Sequence, residues 1–146
     1  MPPGISGVHH VTFVVRDLNA GISWFEMVLG AEYRPRFDHH SAEGVRFGVV
    51  LELDRFPGMI ELRAATEDYP LRLGYDPVTF QVAGVTELGA WRDHLDAVGV
   101  GHSPIKHRRT GQSIEFPTPE GILLRLFTAP AGGFDRVPFQ EQRVDP

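Results

Sequence analysis

One long-range repeat constrains what this chain can fold into more than any local feature does. His10-Val11-Thr12-Phe13-Val14-Val15 returns 67 positions later as Pro77-Val78-Thr79-Phe80-Gln81-Val82. At the same offset, without a gap, Leu18 meets Val85 and Trp24 meets Trp91. Each copy then ends a helix-like stretch near a glycine, Gly30 or Gly99. Further on, Met59-Ile60-Glu61-Leu62-Arg63 resembles Leu123-Leu124-Arg125-Leu126-Phe127 at an offset of 64, which a three-residue loop deletion reconciles. A six-residue match arises easily by chance. One that stays in register through a tryptophan is harder to dismiss. No period of 20–50 residues is present, so the chain is not an array of short repeats.

Each copy reads as strand–helix–strand–strand–strand. In residues 10–15, Val11, Phe13 and Val15 share one face while His10, Thr12 and Val14 share the other, the period of a strand. Residues 77–82 alternate in the same way. Leu18, Ile22, Phe25 and Leu29 fall on one helical face, with Asn19 as the expected N-cap and Gly30 as the left-handed stop. A second helix carries Val85, Leu88, Trp91, Leu95 and Val98, with Thr86 at its start and Gly99 at its end. Val45–Leu53 and Met59–Ala64 are strand-like and joined by Pro57-Gly58; Gln112–Pro117 and Ile122–Thr128 follow the same plan across Thr118-Pro119-Glu120-Gly121. His39 and His40 fall on an expected loop. The fold class predicted is α+β, in two tandem βαβββ modules spanning about residues 6–65 and 76–128. Together they would form one domain, residues 6–128, a curled mixed sheet around a concave cavity with helices outside. The tail 129–146 lacks periodicity, although Phe134 and Phe139 could dock on the body.

Composition removes several function classes. Apolar residues make up 42% and charged residues 23% of 146, ordinary for a globular chain. The net charge is −5 and the 14 basic residues are scattered, which argues against a nucleic-acid partner. The one basic cluster, Lys106 to Arg109, reads as a solvated edge. With no cysteine there is no thiolate ligand, cysteine nucleophile or disulfide. Neither a signal-peptide pattern nor an apolar run of about 18 residues is visible, so the expectation is a cytoplasmic protein with no membrane partner. Phosphate-loop, dinucleotide, HExxH and GxSxG motifs are missing. Ser113 near Glu115 has no evident histidine base and reads as strand surface.

The alternation also sorts residues by role. The uniformly apolar faces should pack on the helices. The opposite faces carry His10, Thr12, Thr79 and Gln81, and by the same parity Glu61 and Arg125. Polar groups gathered on one sheet face contact water, a ligand or each other.

These residues resemble the vicinal oxygen chelate superfamily, which includes glyoxalases, bleomycin- and fosfomycin-resistance proteins and extradiol dioxygenases. His9 to Leu18 is similar to its first strand, Trp24-Phe25 through Val28-Leu29-Gly30 to its first helix and stop, and Pro119-Glu120-Gly121 with Leu123-Leu124-Arg125-Leu126 to its closing hairpin. The resemblance spans about residues 6–128 and implies the fold far more than any reaction. It places the metal-ligand positions on His10, Glu61, Pro77 and Arg125. His10 and Glu61 are competent ligands; proline has no donor and arginine carries a repelling charge. The expected site is therefore metal-poor. His10, Thr12, Thr79, Gln81 and Arg125 would bind a small polar or aromatic molecule, with Arg125 approaching Glu61. Glu61 is the candidate catalytic base. The alternative is a divalent-metal-dependent lyase, isomerase or dioxygenase with an atypical ligand set, His10 and Glu61 among its ligands. A homodimer is expected, because each module sheet leaves an edge to cover.

Overall fold

A computed structural model describes residues 1–129 together with 132, 133 and 136. Phe134 and Phe139 lie outside the described residues. The chain forms two compact units: Met1–Tyr75 with Pro119–Gly121, and Asp76–Thr118 with the described residues from Ile122 onward.

The first unit runs β1 (His10–Val15), α1 (Leu18–Leu29), β2 (Glu32–Tyr33), a 3-10 turn (Pro35–Phe37), β3 (His39–His40), β4 (Arg46–Glu52) and β5 (Met59–Ala64). Its sheet has the order β1-β5-β4-β2, with β3 also paired to β4. β1 and β5 are parallel and the other pairs antiparallel. The second unit runs β6 (Thr79–Val82), α2 (Val85–Ala97), β7 (Lys106–Arg108), β8 (Gly111–Pro117) and β9 (Leu123–Thr128), in the order β6-β9-β8-β7. Again the first and last strands of the unit are parallel neighbours. Two open mixed sheets, each with one helix, are the tandem α+β modules the repeat predicts.

Strand register ties the repeat to structure. Thr12 pairs with Glu61 and Phe13 with Leu62; Thr79 pairs with Arg125 and Phe80 with Leu126. The two sequence offsets, 67 and 64, are what place the same two positions side by side in both copies. The apolar faces are buried as the alternation predicts: Phe13, Val49, Leu51, Ile60 and Leu62 are wholly enclosed in the first unit, and Ile114, Leu124 and Leu95 in the second. Each such side chain contributes roughly 1.5–3 kcal/mol on burial. In the first unit the helix adds Phe25, whose ring centroid lies 5.3 Å from that of Phe13.

The structure corrects several local expectations. The N-cap of α1 is Asp17, not Asn19: its Oδ1 accepts from the Ala20 amide at 2.7 Å. Asn19 instead accepts a hydrogen bond from Arg46. Strand β6 starts at Thr79, leaving Pro77 ahead of the ladder, where a residue without an N–H costs no pairing. Ser113 is fully buried rather than on the strand surface. His39 and His40 form a short strand rather than a loop. The left-handed stop at Gly30 is as expected, with φ 68°.

Candidate functional site

Glu61 occupies the middle of β5, with Thr12 of β1 on one side and Val50 of β4 on the other. Ile60 and Leu62 enter the core, so period 2 turns Glu61 and Arg63 to the opposite face. Glu61 is only 7% exposed. A carboxylate this enclosed requires donors around it. Arg63 Nε donates to its Oε1 at 2.7 Å, and the Thr12 hydroxyl reaches the same oxygen at 3.5 Å, a weak contact. On the other oxygen, Oε2, His39 Nε2 lies at 3.3 Å and His10 Nε2 at 3.9 Å. His10 in turn meets His9, Nδ1 to Nδ1, at 2.9 Å.

Aromatic rings flank this polar cluster. The Arg63 guanidinium carbon stands 4.3 Å from the Tyr69 ring centroid and 5.1 Å from that of Phe47. The His39 ring stacks on Phe47 at 5.9 Å with an interplanar angle of 22°. Arg63 is thus fixed by one carboxylate and two π faces.

His39 reaches Glu61 because its approach to the sheet is held. Tyr33 Oη donates to Asp38 Oδ2 at 2.6 Å, and Arg46 Nη1 donates to both, at 3.0 and 3.3 Å. Burial and the hydrogen bond to Asp38 both raise the Tyr33 pKa, keeping the phenol protonated as the donor. Asp38 directly precedes His39, and Arg46 directly precedes Phe47. Opposite His39 on β4 stands Gly48, where a Cβ would come within 3.0 Å of the imidazole. Glycine is what lets the ring lie against the strand.

The second unit builds a different cluster on the equivalent positions. Arg125 pairs with Asp76 at 2.9 Å and Glu115 at 3.5 Å. Glu115 also receives Lys106 at 3.2 Å and Arg108 at 3.1 Å. Burial opposes ionisation of Glu115, but the Lys106 hydrogen bond and the charges of Lys106, Arg125 and Arg108 outweigh it and lower its pKa. Thr79 and Gln81 line a cavity of about 270 Å³ with Phe80, Thr110, Phe127 and Thr128. A wider open basin of about 760 Å³ lies at the β4–β5 turn, bordered by Glu32, Arg34, Glu52 and Phe56. Glu61 and Arg63 do not line it, so it is distinct from the polar cluster.

The structure therefore brings His10, Thr12 and Glu61 together in the first unit and sets Thr79 beside Arg125 in the second. Sequence reasoning missed Arg63, Phe47 and Tyr69, and put His39 on a loop. The signal for Arg63 was available: the parity that turns Glu61 away from the core turns Arg63 the same way. Pro77 offers no ligand atom, Arg125 is a cation, and Arg63 occupies one oxygen of Glu61. Among the described residues no three ligand-type side chains are arranged to hold a metal ion.

The chain belongs to the Glyoxalase/Bleomycin resistance protein/Dioxygenase superfamily, which it matches over residues 7–126. It is similar to TnmS3, an antibiotic binding protein from Streptomyces sp. CB03234, at 18% identity and TM-score 0.71, covering 88% of this chain and 99% of that one. A glyoxylase/bleomycin resistance protein/dioxygenase domain from Frankia sp. EAN1pec aligns at 20% identity and TM-score 0.68, covering 86% and 99%. FosX, a fosfomycin resistance protein from Listeria monocytogenes complexed with Mn(II) and sulfate, aligns at 21% identity and TM-score 0.61, covering 86% and 92%. At these identities the likenesses show the fold. No curated protein matches the chain.

Proposed function

Taking that membership as the premise, we propose that the protein binds a small polar or aromatic molecule over Glu61 of the first module, without a resident divalent metal. The observation that carries this reading is the state of the Glu61 carboxylate. It is buried, bordered by His39 and held by Arg63, whose guanidinium lies over the Phe47 and Tyr69 rings, a polar anchor beside π faces of the kind that orients small ligands. The side chains of His10 and His39 are both 41% exposed, so polar groups remain within a ligand's reach. TnmS3 provides a precedent for antibiotic binding on this fold. Thr79, Gln81 and Arg125 are proposed as the ligand-contacting residues of the second module.

A thermal-shift screen against small aromatic metabolites and antibiotics, followed by calorimetry, tests the reading. A ligand at 100 times its Kd should stabilise the native protein by about 2.7 kcal/mol. Glu61→Gln and Tyr69→Ala should each weaken a genuine hit by about tenfold, the loss of a charge-assisted bond or an aromatic contact. A screen without stabilising compounds, or hits indifferent to both substitutions, would sink it.

A second reading rests on the convergence of His10 and His39 on Glu61 Oε2: a metal-dependent lyase, isomerase or dioxygenase with an atypical ligand set. FosX is complexed with Mn(II). Elemental analysis of untagged protein, never exposed to chelator, separates the two readings. The same proposal includes a homodimer, checked by light scattering across a dilution series, and residence in the cytoplasm.

A further inference from the structure

We infer that Arg63 is the built-in cation of this site: its guanidinium stands where Glu61 would otherwise recruit a divalent ion, and it is the residue that sets the first module against metal. The inference rests on the metal-free reading above and assigns its cause to one side chain.

Three observations converge. Arg63 Nε lies 2.7 Å from Glu61 Oε1, so one carboxylate oxygen already has a full positive charge against it. Two rings, Phe47 and Tyr69, hold that charge in place, and the Arg63 side chain is only 25% exposed. It is not a surface arginine that can swing freely into water. On the other oxygen stand the imidazoles of His39 and His10, at 3.3 and 3.9 Å. Two imidazoles and a carboxylate are the donor types that hold divalent transition metals. All three belong to the first module, so the loss of donors at Pro77 and Arg125 does not by itself empty the set. As they stand the three are not arranged as a metal site, and what opposes their closing on an ion is charge. A divalent cation drawn to Glu61 would sit within a few ångströms of the positively charged Arg63 guanidinium. Lost ligands lower affinity; a fixed like charge in a partly desolvated position repels.

The consequence is directional. Removing the charge while keeping the aliphatic stem should free Glu61 Oε1 and let His10, His39 and Glu61 close on an ion. Cobalt(II) is a suitable probe, because its visible absorption reports coordination independently of any activity. Untagged, full-length wild type and Arg63→Met are titrated with cobalt(II), after far-UV circular dichroism shows both folded. The expected result is one cobalt bound by Arg63→Met at least about tenfold more tightly than by wild type, since removing one like charge at this range is worth that much or more. Arg63→Lys, which keeps a positive charge, should behave as wild type. Arg63→Met combined with His39→Ala should lose the gain. If Arg63→Met does not fold, Arg63→Gln is read by the same criteria. A folded, neutral variant that gains no cobalt site overturns the role of Arg63 and leaves the ligand-binding reading standing. Wild type holding one cobalt as tightly as Arg63→Met overturns both.

Discussion

Thr12 with Glu61, and Thr79 with Arg125, are the same two positions in two modules, paired in the same register across the same kind of parallel strands. Their chemistry is inverted. In the first module a buried acid is surrounded by donors. In the second a cation is surrounded by acids, Asp76 and Glu115. The antiparallel neighbour changes with it: Val50 faces Glu61, whereas Glu115 faces Arg125. Each module partners its central charge from within its own unit. The comparison teaches that the apolar parity preserves the fold, while the opposite face is free to reverse sign once each buried charge has a partner.

The helices differ as well. α1 buries Leu18, Ile22, Phe25, Val28 and Leu29, whereas α2 buries only Leu88 and Leu95 among its larger side chains. At the repeat offset of 67, Phe25 corresponds to Arg92. This gives the largest expected effect. Phe25→Ala should cost about 3–5 kcal/mol, because a wholly enclosed ring leaves a cavity. Arg92→Ala should stay within about 0.5 kcal/mol, since its side chain is exposed and its ion pair among the described residues is with the neighbouring, exposed Asp93. Urea unfolding of both variants checks this. Similar losses from the two would mean that the helices are anchored alike, and the asymmetry would be false.

How much of this was legible in the sequence follows from the range of the forces involved. Period-2 strands and the helical apolar face are local patterns, and the repeat doubled each signal, so the βαβββ plan and the equivalences of Thr12 with Thr79 and Glu61 with Arg125 could be read directly. The two- and three-residue strands β2, β3 and β7 carry no period long enough to see. His39 was put on a loop because its position depends on Tyr33, Asp38 and Arg46, side chains that meet only after β4 folds back. Asp17 and Asn19 are both good caps by composition; only the backbone extension at Asp17, with φ −135° and ψ 124°, decides between them. The charge opposing a metal was sought at Arg125 by family position. Arg63, two residues from Glu61 and on its face, was the nearer choice by elementary parity.

The charge inversion makes a second prediction. Glu115→Gln should destabilise the protein by about 1–3 kcal/mol, because it leaves Lys106, Arg108 and Arg125 clustered without their shared negative charge and turns an amide N–H2 toward them. The pH dependence has a definite sign. The folded pKa of Glu115 is lowered, so its contribution is present above the ordinary carboxylate value and disappears as pH falls through the lower, folded value. Stability curves of wild type and Glu115→Gln should therefore converge in acid. His102 acts in the opposite direction. Its hydrogen bonds to the Ser103 carbonyl and to Asp96 raise its pKa above 6.5, so its contribution is present below that value and is lost as pH rises through the folded one. Asp96→Asn should flatten that alkaline decline, by less than about 1 kcal/mol for an ion pair with one exposed partner. An Asp96→Asn protein with an unchanged decline would remove the His102–Asp96 pair as its cause.

The smallest expected effect tests the modules at their helix entrances. α1 begins at Asp17, whose carboxylate caps the Ala20 amide, while α2 begins at Gly84 with no side-chain cap. The first helix is therefore closed by a hydrogen bond that the second lacks. Asp17→Ala should cost about 1 kcal/mol. The reverse change, Gly84→Ser, should add a few tenths of a kcal/mol, since serine is a good cap and glycine a poorer one. Backbone strain does not oppose it: φ at Gly84 is −173°, extended geometry open to any residue. A Cβ there would lie 3.2 Å from Glu87 Oε2, the end of a flexible side chain that can move aside. Serine is preferable to aspartate at this position, because a carboxylate would repel Glu87 in the first turn. The measurement is a paired urea titration with wild type, sensitive to a few tenths of a kcal/mol. A loss of stability in Gly84→Ser would show that Glu87 cannot give way, and that the open entrance to α2 is enforced by packing rather than by the absence of a capping side chain.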